Sequence, residues 1–409
     1  MKVGKTSILY LTPILLIIPY FGHLKLNNVI IGIAFLIFCL MSAISLSFSK
    51  ISDSNIKIIL KSYTIQFLFI PFSIIQSMIF LEIQFTFNDY FELIRPILNI
   101  VIIIPFYVLF KKISEKKSLN FILIWISIVT FLNFFLSLIS KFDISFFLPI
   151  IEAYGEGSIY SFGYSKFRAF GLVGQPGKNA IFCNIIVLIS VYIFKKTSSR
   201  LPLLLVILNG FSILLTLSRV GLLIFFIIVI INFLNFEYLR KNFLKVFLIF
   251  SITSFVLLNL STEFFDFKFL FRGLEGSDSY GTLGKRLYLK KWAFTLISEN
   301  LNSILFGLGP CKDYLSSLST YYASDLTLRQ PDSSATLWML RYGFLGMIIF
   351  YFPHFSILFS KRFFLTQVTV LVIIISNFDP PYHEPKTQLI YWMIIVFLFR
   401  FEKQKNYNE

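Results

Sequence analysis

The chain predicts an all-α, polytopic integral membrane protein of about 12 transmembrane helices, and three observations carry that reading. Apolar residues make up 56% of the 409 residues and charged residues only 14%, a composition that would leave a water-soluble domain insoluble. Apolar runs of roughly 20 residues, the length that crosses about 30 Å of hydrocarbon, recur along the whole sequence. Lys and Arg gather in alternate connections between those runs, as membrane insertion requires of cytoplasmic loops. No repeat, low-complexity linker or soluble domain interrupts the pattern, so residues 1–409 read as a single membrane domain.

The first apolar segment, Ser7 to Phe21, lacks the small-residue cleavage site of a signal peptide and leads directly into a second, Val29 to Phe48, so it reads as a retained helix. Lys50, Lys57 and Lys61 lead into Leu60 to Leu81, which is followed by Leu93 to Phe110. Lys111, Lys112, Lys116 and Lys117 then precede Leu119 to Ser140. A polar island over 141–178 separates that run from Asn179 to Phe194, and Lys195, Lys196 and Arg200 lead on to Leu201 to Leu217. Ser218-Arg219 reads as a tight turn before Val220 to Leu234. Were Leu201 to Leu234 one span, the cluster Arg240/Lys241/Lys245 and both later basic connections would face outward, against the charge rule. Phe243 to Leu260 completes nine segments, and a second polar island over 261–333 forms a large outer loop before the tenth. Ala335 to Phe359, Phe363 to Ser376 and Thr387 to Phe399 close the series, with Lys361/Arg362 and Arg400/Lys403/Lys405 at their basic ends.

Together with Lys2 and Lys5, these alternate connections hold 20 of the 37 basic residues against five acids, Asp53, Glu115, Glu237, Glu402 and Glu409. Both termini are therefore expected in the cytoplasm and both polar islands on the outer face. The net charge of +16 arises almost entirely from this bias and is no sign of nucleic-acid binding. Cys39 and Cys183 fall inside apolar runs and Cys311 stands alone in the outer loop, so no disulfide framework is available.

Charged groups at a membrane boundary are costly unless they serve a purpose, which directs the search for function to the islands. Phosphate-binding glycine loops, Cys/His metal spacings and nucleophile elbows are missing, and His23, His354 and His383 are too scattered for a zinc site. No cofactor is expected. The first island ends in Arg168-Ala-Phe-Gly171 and Gln175-Pro176-Gly177-Lys178-Asn179, then enters an apolar helix. This suits either an ordinary helix entry with snorkelling cations or an anion site at a helix N-terminus beside Arg168 and Lys178. Arg219 reads either as a hairpin arginine among headgroups or as a guanidinium aimed into a cavity to grip phosphate. In the second island, Leu289, Trp292, Ala293, Leu296 and Ile297 share one helix face and leave Arg286 and Lys290 on another. That pattern reads as an amphipathic helix on the membrane surface, bound to headgroups or to substrate. Asp332, just before the tenth segment, is either a helix cap or a carboxylate facing the site.

Taken in order, these motifs resemble a known family. Arg168-x-x-Gly171 with Pro176-Gly177-x-Asn179, then Leu-Thr-Leu-Ser218-Arg219, then Arg286-x5-Trp292 with Gly307-x-Gly309, then Arg341-Tyr-Gly343-Phe-Leu-Gly346, look like the O-antigen polymerase and ligase superfamily, the Wzy and WaaL types. The resemblance spans roughly 168–346. It implies a GT-C-like membrane glycosyltransferase, free of metal and sugar nucleotide, that uses saccharides linked to undecaprenyl diphosphate as donor and acceptor. By matching motifs it implies that Arg219 and Arg286 engage the donor diphosphate and that Arg168 is the arginine of the earlier outer loop. Lys178, Lys290 and Trp292 are the accompanying substrate-binding candidates, and Asp332 the candidate base. Ligases of this family carry a histidine just before the late helix; Gln330-Pro331-Asp332-Ser333-Ser334 has none, which favours a polymerase. The expected setting is a bacterial inner membrane, with membrane lipids and a chain-length regulator protein as further partners. A ligase acting on lipid A core and a flippase of lipid-linked saccharide are the rival readings. The flippase would concentrate its ionisable groups near the midplane.

Overall fold

The computed structural model describes residues 8–19, 27–48, 50–82, 92–142, 145–155, 168–233, 282–310, 333–376 and 385–402. The expected span Phe243 to Leu260, the cluster Arg240/Lys241/Lys245, Cys311 and Asp332 lie outside them. The described chain is all-α. After a 3-10 helix at Ile8–Leu16 come α1 (Asn27–Phe48), α2 (Ser54–Phe80), α3 (Ile94–Lys112), α4 (Glu115–Phe142) and the short α5 (Leu148–Tyr154). Next are α6 (Pro176–Thr197), α7 (Arg200–Leu215), α8 (Arg219–Phe233), α9 (Thr282–Ser298) and α10 (Leu301–Phe306). The last three are α11 (Ser334–Leu358), α12 (Phe363–Ser376) and α13 (Pro385–Phe401). Helices α2, α3, α4, α6 and α11 are each long and apolar enough to cross a membrane. Among the described residues this is an all-α, multi-pass membrane-type protein.

Three helices form the centre. Helix α13 is buried from Lys386 to Phe399, and α3 and α6 are buried over most of their length. A helix that is apolar on every side belongs inside a bundle or a membrane. The three are locked by aromatic edges, Phe110 to Phe397 and Tyr192 to Phe397, and by the Trp392 indole, which donates to Asn99 Oδ1 at 2.8 Å. The rim helix α2 instead turns Ile65, Leu68, Phe72, Ile75 and Ile79 outward, a stripe at three- and four-residue spacing that hydrocarbon would cover.

The two ends of the bundle differ in chemistry. At one end the predicted basic connections that fall among the described residues meet. Lys196 pairs with Glu115 at 2.9 Å, Lys111 reaches the Lys50 carbonyl, and Arg362 donates to the carbonyls of Leu398 and Phe399. Glu402 there accepts the backbone N–H groups of Phe364 and Leu365, satisfying donors at the start of α12. The opposite end carries the described parts of both polar islands.

Two expectations about elements take a definite form. Residues 216–218 form the tight turn between α7 and α8 that the charge pattern required. The helix of the second island exists as α9, but its apolar face is not left for lipid. Trp292, Ala293 and Ile297 are buried against Leu308 and Leu340, at the head of α11.

Candidate functional site

At the island end the backbone builds two assemblies. The first joins the motif around Arg168 to the motif around Arg219. Arg168 Nε donates to the Thr216 carbonyl at 2.8 Å, and Ala169 N–H donates to the Leu215 carbonyl at 3.0 Å. Both acceptors lie at the last turn of α7, where carbonyls have no partner within their own helix. Leu217 then adopts φ 51°, a left-handed conformation that costs a bulky L-residue roughly 1–2 kcal/mol. Ser218 captures the following helix, its Oγ accepting Gly221 N–H at 3.2 Å. Arg219 is thereby placed at the first position of α8 as an exposed side chain, at the rim of the turn and not in an enclosed cavity.

Gly171 explains the other half of this assembly. Its φ is 54°, and a Cβ there would collide with Asn133 Oδ1 and Asn179 Nδ2. Only glycine lets the loop pass between these two fully buried asparagines. Asn133 Oδ1 accepts Leu172 N–H at 2.8 Å, and Lys386, itself buried at the start of α13, donates to the Leu172 carbonyl at 2.7 Å. Burial pushes the neighbouring Tyr154 phenol up, so it stays neutral and donates to the Ile17 carbonyl at 2.6 Å, with the Lys386 ammonium over its ring. Pro176 opens α6, and Lys178 sits half-buried in its first turn. Asn184 ties α6 to the arginine turn through the Gly221 carbonyl at 3.0 Å, and Gly221 has space only for hydrogen against Ala180.

The second assembly is a clasp of two glycines. Helix α11 breaks at Gly343, where φ is 67° and ψ −168°. The break frees the carbonyls of Leu340 and Arg341, which are taken by the N–H groups of Leu308 at 2.9 Å and Gly309 at 2.7 Å. A Cβ on Gly343 would strike the backbone of Leu305 and Phe306, and one on Gly307 would strike that of Arg341 and Tyr342. The Gly307-x-Gly309 and Arg341-Tyr-Gly343 motifs are therefore one backbone-to-backbone contact. Ser73 of α2 seals it, its Oγ reaching the carbonyls of Phe306 at 3.0 Å and Arg341 at 3.4 Å. Broken helices survive at membrane depth only where protein satisfies the released groups, as happens here.

Beside the clasp lies a buried ion pair that sequence reading did not place in the site. Arg341 contacts Glu92 Oε1 at 3.2 Å with both side chains almost fully covered, and Arg95 Nε holds Glu92 Oε2 at 2.7 Å. The signal was an arginine eight residues into an apolar run, which costs several kcal/mol without a partner. Its partner was not legible because Glu92 lies near the start of α3, distant in sequence.

Of the sequence candidates, Arg168 is tied to the turn that presents Arg219, and Lys178 lies in the first turn of α6. Trp292 reaches the second assembly, and Lys290 is half-buried on the same helix. Arg286 lies in α9. Helix α11 is capped by Ser333, whose Oγ accepts Thr336 N–H at 3.4 Å, one residue after Asp332. Among the described residues no three His, Cys, Asp or Glu side chains gather as metal ligands. In comparisons with known proteins, the chain matches no protein-family model and no curated protein sequence.

Proposed function

We propose that the chain is a bacterial inner-membrane polysaccharide polymerase, which transfers a growing glycan from undecaprenyl diphosphate to another lipid-linked repeat unit at the outer face. The observation that carries this reading is the stitching of Arg168 to the turn that presents Arg219, two motifs separated by an entire helical hairpin. A diphosphate headgroup at the membrane surface is the ligand that such a cationic rim suits. Arginine holds its charge at any relevant pH and grips phosphate with a planar fork.

The reaction needs little covalent assistance from the protein. The acceptor hydroxyl oxygen forms a bond to the anomeric carbon of the donor sugar. The bond from that carbon to the diphosphate oxygen breaks, and its electron pair leaves with the diphosphate. Arg219 and Arg286 stabilise the charge that grows there, while Arg168, Lys178, Lys290 and Trp292 hold the substrate. Asp332 takes the acceptor proton as general base. Holding both lipid-linked chains in one plane supplies much of the remaining acceleration by orientation.

The deciding experiment is reconstitution of the purified protein in liposomes with a lipid-linked repeat unit and no energy source. A ladder of polymer is expected. Transfer only to added lipid A core would make the protein a ligase, and saccharide movement across the bilayer without bond formation would make it a flippase.

A further inference from the structure

We propose that the outer end of α2, the first half of α11 and Trp292 form a subsite for an uncharged sugar ring of the lipid-linked saccharide; this rests on the polymerase reading above. Gln76 is 5% exposed, yet among the described residues neither its amide oxygen nor its amide nitrogen has a hydrogen-bond partner. The same holds for Ser77 Oγ, Trp292 Nε1 and Ser334 Oγ. These groups belong to one region. Ser73, one turn before Gln76, touches the carbonyls of Phe306 and Arg341, while Leu81, one turn beyond Ser77, packs on the cluster of Trp292, Leu308 and Leu340. Gln76 and Ser77 thus lie along α2 between the glycine clasp and the tryptophan.

Leaving such groups unpaired inside a packed apolar bundle is unfavourable. Methionine at position 76 would fill the same volume at no polar cost, so the amide has a use that packing does not supply. Its chemistry names the ligand. A glutamine amide offers donors and an acceptor side by side, an indole one donor, and a serine hydroxyl both roles. The adjacent Arg341 is already paired with Glu92, so the set presents neutral hydrogen bonds in place of spare charge. Adjacent sugar hydroxyls or an N-acetyl group match it; a diphosphate does not, and belongs at the cationic rim of Arg168 and Arg219. Trp292 borders the subsite as part of a small apolar cluster with Leu308 and Leu340, separate from the main core.

The test compares two probes bound to the full chain in nanodiscs: undecaprenyl diphosphate alone, and the same lipid carrying the repeat unit. Wild type should bind the saccharide-bearing lipid ~10-fold or more tightly than the bare one, the worth of one or two hydrogen bonds. Gln76→Met should abolish that preference, leave binding of undecaprenyl diphosphate unchanged and raise the melting temperature. Arg219→Lys should weaken both probes equally. A Gln76→Met protein that keeps the wild-type preference overturns the subsite. If it also builds polymer with unchanged KM, the subsite falls while the polymerase reading stands. Loss of the preference in Gln76→Met, in a protein whose wild type makes no polymer, supports the subsite and removes the polymerase reading.

Discussion

At the scale of single residues the arginines are separated by what holds them. Arg168 is tied to a helix-end carbonyl, so its lost function would mix positioning with charge, whereas Arg219 projects from the turn and its replacement leaves the turn's own hydrogen bonds intact. Arg219→Lys keeps the charge and loses the planar fork, and polymer formation should fall on the order of 100-fold at normal protein levels, the scale of one transition-state donor. Near-wild-type polymer from the lysine variant would remove Arg219 from the catalytic set. Asp332 admits a sharper comparison, because Ser333 supplies the cap of α11. Asn cannot take a proton, so Asp332→Asn should insert and melt as wild type does, bind donor lipid, and yield only single-repeat product. Full-length polymer from this variant would leave the acceptor proton to water or to the departing diphosphate.

Secondary elements depend on a few glycines, and α11 is the clearest case. At Gly343 an alanine would need a backbone conformation that essentially only glycine adopts, and its Cβ would enter the backbone of Leu305 and Phe306. Gly343→Ala should therefore lower stability by at least ~2 kcal/mol and release α10. Limited proteolysis within 300–310 of the detergent-solubilised protein should become faster, and an unchanged cleavage rate would mean that the clasp is dispensable. The existence of these elements was legible in the sequence. Apolar runs announced the helices, and the spacing of Leu289, Trp292, Ala293, Leu296 and Ile297 announced α9. Their partners were not. A helix face records only that it is apolar, and nothing in that pattern distinguishes the hydrocarbon from Leu308 and Leu340. The motif residues Gly307 and Gly343 were visible in the sequence, but their mutual contact depends on a three-dimensional approach that no sequence periodicity records.

For the whole molecule, charge placement carried more information than hydropathy. Helix α13 lies in the centre and α2 at the rim although both read as apolar runs, because a helix apolar on every side shows no preferred face from which burial order might be derived. The basic connections among the described residues, by contrast, fall at one end, where Lys111, Lys195, Lys196 and Arg362 make their contacts. If the charge rule sets orientation, that end is cytoplasmic and the arginine rim, the clasp and the proposed sugar subsite face outward. In a protein lacking Cys39, Cys183 and Cys311, single cysteines introduced as Ser114→Cys and Glu299→Cys test this, since both positions are exposed and lie at opposite ends. A membrane-impermeant thiol reagent applied to intact spheroplasts should label the cysteine at position 299, whereas the one at 114 should react only after permeabilisation. The reverse result would put the candidate site in the cytoplasm, where a polymerase of outward-facing lipid-linked saccharide has no substrate, and would end that reading whatever the arginine variants did.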